Sequence, residues 1–167
     1  MARSTNTFLI AASLLAIAGC AKKPPAQLPP PPSETGPVSQ GGDGNVTPGS
    51  RADFERSVTS NTIHFDLDKY DINGEARATL DSQAAWLTKY PNVPISLEGH
   101  ADERGTREYN LALGDRRANS AKNYLASRGV NPSRISTISY GKERPIALGS
   151  DEAAWAQNRR AVTIVLN

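Results

Sequence analysis

One cysteine, two histidines and one methionine stand among 167 residues, and aromatic side chains make up only 6% of them. A lone cysteine excludes an intrachain disulfide and any zinc site built on several thiolates. The two histidines, His64 and His100, leave a metal site in need of a further ligand, which Asp102 could supply; otherwise both make structural hydrogen bonds. No G-x-S-x-G elbow occurs, so no activated serine is assembled by motif. Lys and Arg never run longer than a pair and the net charge is +2, which argues against the clustered basic footprint of a nucleic-acid binder. No apolar run approaches the roughly 20 residues needed to span a bilayer.

The longest apolar run, Phe8 to Ala18, is interrupted only by Ser13, follows Arg3 and ends in small residues before Cys20. That is the pattern of a secretory signal peptide over residues 1–19. Ile17, Ala18, Gly19 and Cys20 resemble a bacterial lipobox, which implies cleavage before Cys20 and acylation of its thiol and new amino group. Ala21 follows where an aspartate would retain an enteric lipoprotein in the inner membrane, so the resemblance points to the outer membrane. Residues 20–50 form the lipidated cysteine and a tether: this stretch holds eight of the twelve prolines and five of the thirteen glycines. Such a composition cannot bury enough apolar surface to offset its ordering entropy. The Pro25 to Pro32 part favours polyproline II, and thirty residues at about 3.1 Å each reach roughly 90 Å when fully stretched. A proline-rich ligand for an SH3-like partner is the competing reading of the same stretch.

Residues 51–167 read as one domain. Thr62 to Phe65 is a first strand, followed by the loop Asp66 to Asp71. Asn73 caps a helix from Gly74 to Lys89 with Ala76, Leu80, Ala84 and Leu87 on one side. Pro94 opens a second strand, Ile95 to Gly99. Thr106 caps a long helix whose Leu111, Gly114, Ala118, Ala121 and Leu125 form a packing stripe, and Gly129 stops it. Ile135 to Tyr140 is a third strand, Asp151 to Gln157 a short helix, and Ala161 to Leu166 a last, β-branched strand. The order β, α, β, α, β, short α, β predicts an α/β (α+β) sandwich with the main helices on one face of a single sheet. On the long helix Tyr109, Leu113 and Arg117 follow at four-residue steps, a second stripe offset from the first and expected to be free to bind. Truncating Arg117 is therefore expected to open no core cavity.

The run GHADERGT and, on the helix after it, YNLALGDRRA carry the strongest signal in the chain. GH-x-D-x-x-G, YN-x-x-L and RRA resemble the OmpA-like peptidoglycan-binding domain, and GHADERGT resembles its lipoprotein branch; the similarity runs from about Asn61 to Leu166. Ala101 stands where the wider family has GHTD, in agreement with that branch. The resemblance implies a mixed sheet, no enzymatic activity and no cofactor. It implies that Asp102 and Arg117 are the principal contacts to the diaminopimelate of a peptidoglycan stem peptide, with Leu113 on its aliphatic stem. Leu67 and Asp68 from the first-strand loop, and Arg104 and Thr106 from ERGT, are secondary contacts on the same grounds. Asn110 is expected to hold the loop, and Asn158, Arg159 and Arg160 to support the edge of the site or the sheet. Partners implied are peptidoglycan, the outer membrane through the lipid, and the Tol proteins, with TolB competing for an overlapping surface and a role in constriction at division.

The chemistry of these residues fits such a ligand, because diaminopimelate presents an ammonium beside a carboxylate. An aspartate accepts from the first, and an arginine fork grips the second with two charge-assisted bonds. Spacing alone leaves alternatives open. Asp102 and Arg117 could pair with each other, Arg117 could be an ordinary exposed helix residue, and Asp68 with Asp102 could form the carboxylate pair of a glycan hydrolase. A lipid-anchored periplasmic hydrolase and a purely protein-binding scaffold are thus the rival functions.

Overall fold

The computed structural model describes residues 46–167. The signal peptide, Cys20 and the tether up to residue 45 lie outside the described residues. The elements are α1 (Arg51–Ser57), β1 (Thr62–His64), α2 (Gly74–Lys89), β2 (Ile95–His100), α3 (Arg107–Ser127), a 3-10 turn (Pro132–Arg134), β3 (Ile135–Gly141), α4 (Glu152–Asn158) and β4 (Arg160–Val165). Among the described residues no helix is long and apolar enough to cross a membrane.

Side-chain caps set where the helices begin. Asn73 accepts from the Ala76 amide at 2.9 Å, Thr106 from that of Tyr109 at 3.2 Å and Asp151 from that of Ala154 at 2.8 Å. At the end of α3, Gly129 takes φ +93 and the Val130 amide reaches back to the Leu125 carbonyl at 3.1 Å, a Schellman closure with Val130 buried beneath it. Helix α1 has no counterpart in the sequence reading. Ser50 caps it, and the Asp53 carboxylate accepts from the Gly49 amide at 2.8 Å and the Trp86 indole at 3.1 Å. Gly49 and Ser50, placed in the tether by composition, are thus part of the folded domain.

The sheet runs in the order β1-β4-β2-β3, with β2 and β3 parallel and β4 antiparallel to both of its neighbours. Between the sheet and helices α2 and α3 lies one core that includes Leu80, Leu87, Ile95, Leu97, Ala118 and Leu125. Burying each leucine or isoleucine contributes about 1.5–3 kcal/mol. One polar pair enters this layer without loss: the Thr163 hydroxyl donates to Gln83 Oε1 at 2.7 Å, and Gln83 Nε2 donates to the Ser60 carbonyl at 2.8 Å. Helix α3 presses closest on β2, where a Cβ on Gly99 would overlap the Gly114 carbonyl and one on Gly114 would overlap the Ser139 hydroxyl. That approach sets the start of α3 directly beside the end of β2.

Candidate functional site: a charge-balanced cleft at one end of the sheet

Strands β1, β2 and β3 finish at the same end of the sheet, and antiparallel β4 begins there. The loop after β1, the loop after β2 and the α4–β4 junction therefore meet beside the first turns of α3. Asp68, Asp102, Arg104 and Arg117 are far apart in the chain except for the middle pair, yet the two aspartates come close enough to raise the pKa of Arg104 and to oppose the lowering of that of Arg117.

Arg117 forms the floor. It is fully buried, and its Nε, Nη1 and Nη2 donate to the carbonyls of Lys69 at 2.8 Å, His100 at 2.8 Å and Asp66 at 3.0 Å. Its guanidinium lies 5.1 Å from the centre of the Phe65 ring. Burial pulls its pKa down to about 10, against the attraction of Asp102 and Asp68, so it remains a cation at neutral pH. The stripe expected to be free is not: Tyr109 is exposed, but Leu113 and Arg117 are buried. The loop that follows β1 folds over this part of α3, and its carbonyls take the arginine's donors.

Asp102 lies just above, 5% exposed. Its Oδ1 accepts from the Arg104 amide at 3.1 Å and from Arg104 Nε at 3.2 Å, and its Oδ2 from Arg104 Nη2 at 2.6 Å. Arg159 Nη1 stands 3.5 Å from the same Oδ2. Burial alone would raise this carboxyl, but the hydrogen bonds and charge of Arg104, with Arg159, outweigh it and hold Asp102 below the usual carboxylate range. Asp102 therefore pairs with Arg104 and Arg159, and Arg117 with three carbonyls, rather than with each other.

Around the mouth, Arg104 lies 4.0 Å from the Trp155 ring centre with its Nη1 3.9 Å from Glu152 Oε2. Glu152 Oε1 accepts from Arg159 Nη2 at 2.6 Å, and Arg159 Nε donates to the Phe65 carbonyl at 3.0 Å. The Trp155 indole donates to Glu103 at 3.0 Å. Asn110 holds the loop from below, donating to the Arg104 carbonyl at 2.7 Å and the Thr106 carbonyl at 3.1 Å. The Tyr109 hydroxyl donates to Asp68 at 3.2 Å, and Asp68 sits at φ +55. Leu67 is half exposed nearby in sequence, and Thr106 is exposed with its hydroxyl spent on the helix cap. Four carboxylates, of Asp68, Asp102, Glu103 and Glu152, thus gather with three guanidiniums, of Arg104, Arg117 and Arg159, and with the Lys142 ammonium, which donates to the Glu103 carbonyl at 3.0 Å and the Gly105 carbonyl at 2.7 Å.

Glu152 and Trp155 were not singled out by sequence. They lie on a short helix some fifty residues from the GH-x-D run, and no spacing rule links the two. Among the described residues no group of three or more His, Cys, Asp or Glu could hold a metal, and His64 and His100 stand on strands separated by β4. His100 carries both ring nitrogens buried without hydrogen-bond partners; burial, then the charges of Arg160 and Arg144, lower its pKa to about 3.

A floor arginine and a mouth aspartate between the loops of a mixed four-stranded sheet define an OmpA-type domain, and the family model described as OmpA family matches residues 64–159. Among curated relatives, a peptidoglycan-associated lipoprotein of Agrobacterium fabrum is 52% identical over 96% of this chain and 88% of its own length. One from Rhizobium meliloti is 55% identical over 90% of this chain and 82% of its own. The crystal structure of the peptidoglycan-associated lipoprotein from Burkholderia pseudomallei superposes with a TM-score of 0.63 at 43% identity, covering 64% of this chain and 91% of that one. The chain belongs to the peptidoglycan-associated lipoproteins of the OmpA family.

Proposed function

We propose that this chain binds peptidoglycan noncovalently at the diaminopimelate of the stem peptide and thereby tethers the outer membrane, in which its acylated Cys20 is anchored, to the cell wall. Asp102 accepts from the ligand's ammonium, and Arg117, with Arg104 at the rim, supplies the positive field for its carboxylate. Leu113, Leu67, Asp68 and Thr106 complete the walls on the grounds of family resemblance. Three acyl chains at about 0.8 kcal/mol per buried methylene make the anchor effectively permanent, so each wall contact can be weak and exchangeable. Tethering keeps the local concentration of domain at the wall high. The Tol proteins, TolB first, are the protein partners in this reading, which places the molecule in envelope constriction at division.

The observation that carries binding over hydrolysis is the state of Asp102. A glycan hydrolase needs a free general acid and a free base or nucleophile, whereas both oxygens of Asp102 accept from Arg104, with Arg159 Nη1 beside one of them, which holds the carboxyl ionised and occupied. Such a group is a permanent acceptor. Pull-down on purified diaminopimelate-type sacculi tests the reading. Asp102→Ala should weaken binding about tenfold to 150-fold, the equivalent of a charge-assisted contact of about 1.5–3 kcal/mol. Wild-type-like binding by that variant, or a cleared band on a peptidoglycan zymogram, would overturn the assignment.

A further inference from the structure

In the unliganded cleft the acceptor is already taken. Both oxygens of Asp102 are bound by Arg104, one of them twice, so an incoming ammonium has no open lone pair of good geometry until the Arg104 fork leaves. Of the two arginines on Asp102, Arg104 is the one able to move. Its side chain is 34% exposed against 8% for Arg159, whose Nε is fixed to the Phe65 carbonyl. Arg159 stays behind and keeps the carboxylate ionised during the exchange.

A second seat is in place. Glu152 Oε2 lies 3.9 Å from Arg104 Nη1, its side chain 65% exposed, and the Trp155 face beneath the guanidinium offers a surface to slide on without losing the stacking contact. The step from Asp102 toward Glu152 needs only side-chain rotation, and because Glu152 already accepts from Arg159 Nη2 at 2.6 Å it leaves Arg104 only partly paired. We propose that Arg104 is the resident counter-ion of Asp102, displaced toward Glu152 when ligand enters, and that it is the residue by which the site selects zwitterionic amino-acid centres over plain amines.

Selection follows from what the displaced guanidinium meets. A plain amine takes Asp102 and leaves two cations, itself and Arg104, crowded at a mouth that was charge-balanced. A centre bearing ammonium and carboxylate side by side takes Asp102 with the first and pairs the released Arg104 with the second. One internal ion pair is then exchanged for two external ones. This inference rests on the proposed binding of diaminopimelate at Asp102 and adds a role that a simple contact residue would not have.

Competition on sacculi tests it, using the full lipidated chain in detergent. The two competitors are free meso-diaminopimelate and cadaverine, which is diaminopimelate without its carboxyl groups. For the wild type, diaminopimelate should release the protein and cadaverine should need at least about tenfold more. In Arg104→Gln the cadaverine requirement should fall about tenfold or more and the gap should close. Glu152→Gln, which keeps a hydrogen-bond acceptor for Arg159, should weaken diaminopimelate competition several-fold in the Arg104 chain and leave it unchanged in Arg104→Gln. An unaltered ratio between the competitors in Arg104→Gln would overturn the counter-ion role, as would an equal effect of Glu152→Gln in both chains. Loss of all binding by Arg104→Gln with an unchanged thermal melt would make Arg104 an ordinary contact. Failure of diaminopimelate to release the wild-type chain would instead overturn the underlying assignment, and that is read before any variant is made.

Discussion

The floor and the mouth of the cleft are built from the same residue types and held in opposite ways. On the floor, side chains grip backbone: Arg117 binds three carbonyls and Asn110 two, and both residues are at least 98% buried. At the mouth, side chains grip one another: Arg104 with Asp102 and Glu152, Trp155 with Glu103, Tyr109 with Asp68, mostly in solvent. Backbone carbonyls cannot leave, whereas exposed ion pairs cost little to exchange. A protein that must hold a shaped site while releasing and regripping a remodelled wall needs both kinds of bond, in that order from the inside out.

The sharpest way to break this contrast is Arg117→Ala. It leaves three carbonyls, two of the loop after β1 and one at the end of β2, without their donor and a void where a fully buried guanidinium stood. A loss of stability on the order of 3 to 5 kcal/mol is expected, read by urea or thermal unfolding. This reverses the expectation from helical spacing that truncation would leave the packing untouched. Loss of sacculus binding by this variant is therefore expected together with loosening of the loop after β1. An unchanged melt would mean that the floor is not a structural unit.

What the sequence showed and what it hid divide along the same line. Local signals were mostly sound: Asn73, Thr106 and Gly129 bound their helices, and of the expected stripe Gly114, Ala118, Ala121 and Leu125 are buried while Leu111 is only half-buried. Those features depend on neighbours within a few residues. Helix α1 escaped because RADFERS buries only Phe54 and is too short to show a period. Leu113 and Arg117 were read as free because what covers Arg117 is a loop 48 to 51 residues earlier in the chain. The pairing of Asp102 with Arg104 is local, but whether it stands alone or is shared with Arg159 is decided 57 residues away. The resemblance supplied the names of the site residues; only the fold shows which of them bear the structure.

Acid separates the two regions next. The His100 carbonyl belongs to the floor while its ring turns to the far side of β2, stacked 5.6 Å from Tyr140 and 3.9 Å from Glu98, with Arg144 and Arg160 close enough to repel a proton. Its folded pKa of about 3 lies below the reference value of 6.5, so between those values the unfolded chain binds the extra proton. Stability is thus full above about 6.5 and falls as pH drops, by up to about 1.4 kcal/mol per unit. At pH 5 the histidine's share of the loss is about 2 kcal/mol. His100→Phe, which keeps the ring stack, should remove that share, seen as a flatter plot of unfolding free energy against pH between 7.5 and 5. Asp102, held below its usual range, stays ionised over the same interval, so its own charge does not change while the fold weakens. Parallel acid curves for wild type and His100→Phe would sink this account.

The smallest effect is also the cleanest comparison, because it uses two adjacent residues of one helix. Asn110 points down, 2% exposed, and its Nδ2 alone satisfies the Arg104 carbonyl at 2.7 Å and shares the Thr106 carbonyl at 3.1 Å. Tyr109 points out, 47% exposed, and gives one hydroxyl to Asp68 at 3.2 Å. Each substitution, Asn110→Ala or Tyr109→Phe, removes side-chain donors without touching the helix backbone. For Asn110→Ala a buried side chain and its two partly buried hydrogen bonds are lost, so about 1–3 kcal/mol of stability should go with them, a melting shift of several degrees. For Tyr109→Phe, water replaces the hydroxyl on an exposed carboxylate and the melt should not move. Because the Arg104 carbonyl is what Asn110 holds, the first variant should also release the ERGT loop to faster amide exchange, while the second leaves that loop protected. Equal melts for the two would mean that burial does not separate floor from mouth, and that the loop bearing Asp102 is set by the chain after β2 rather than by the helix beneath it.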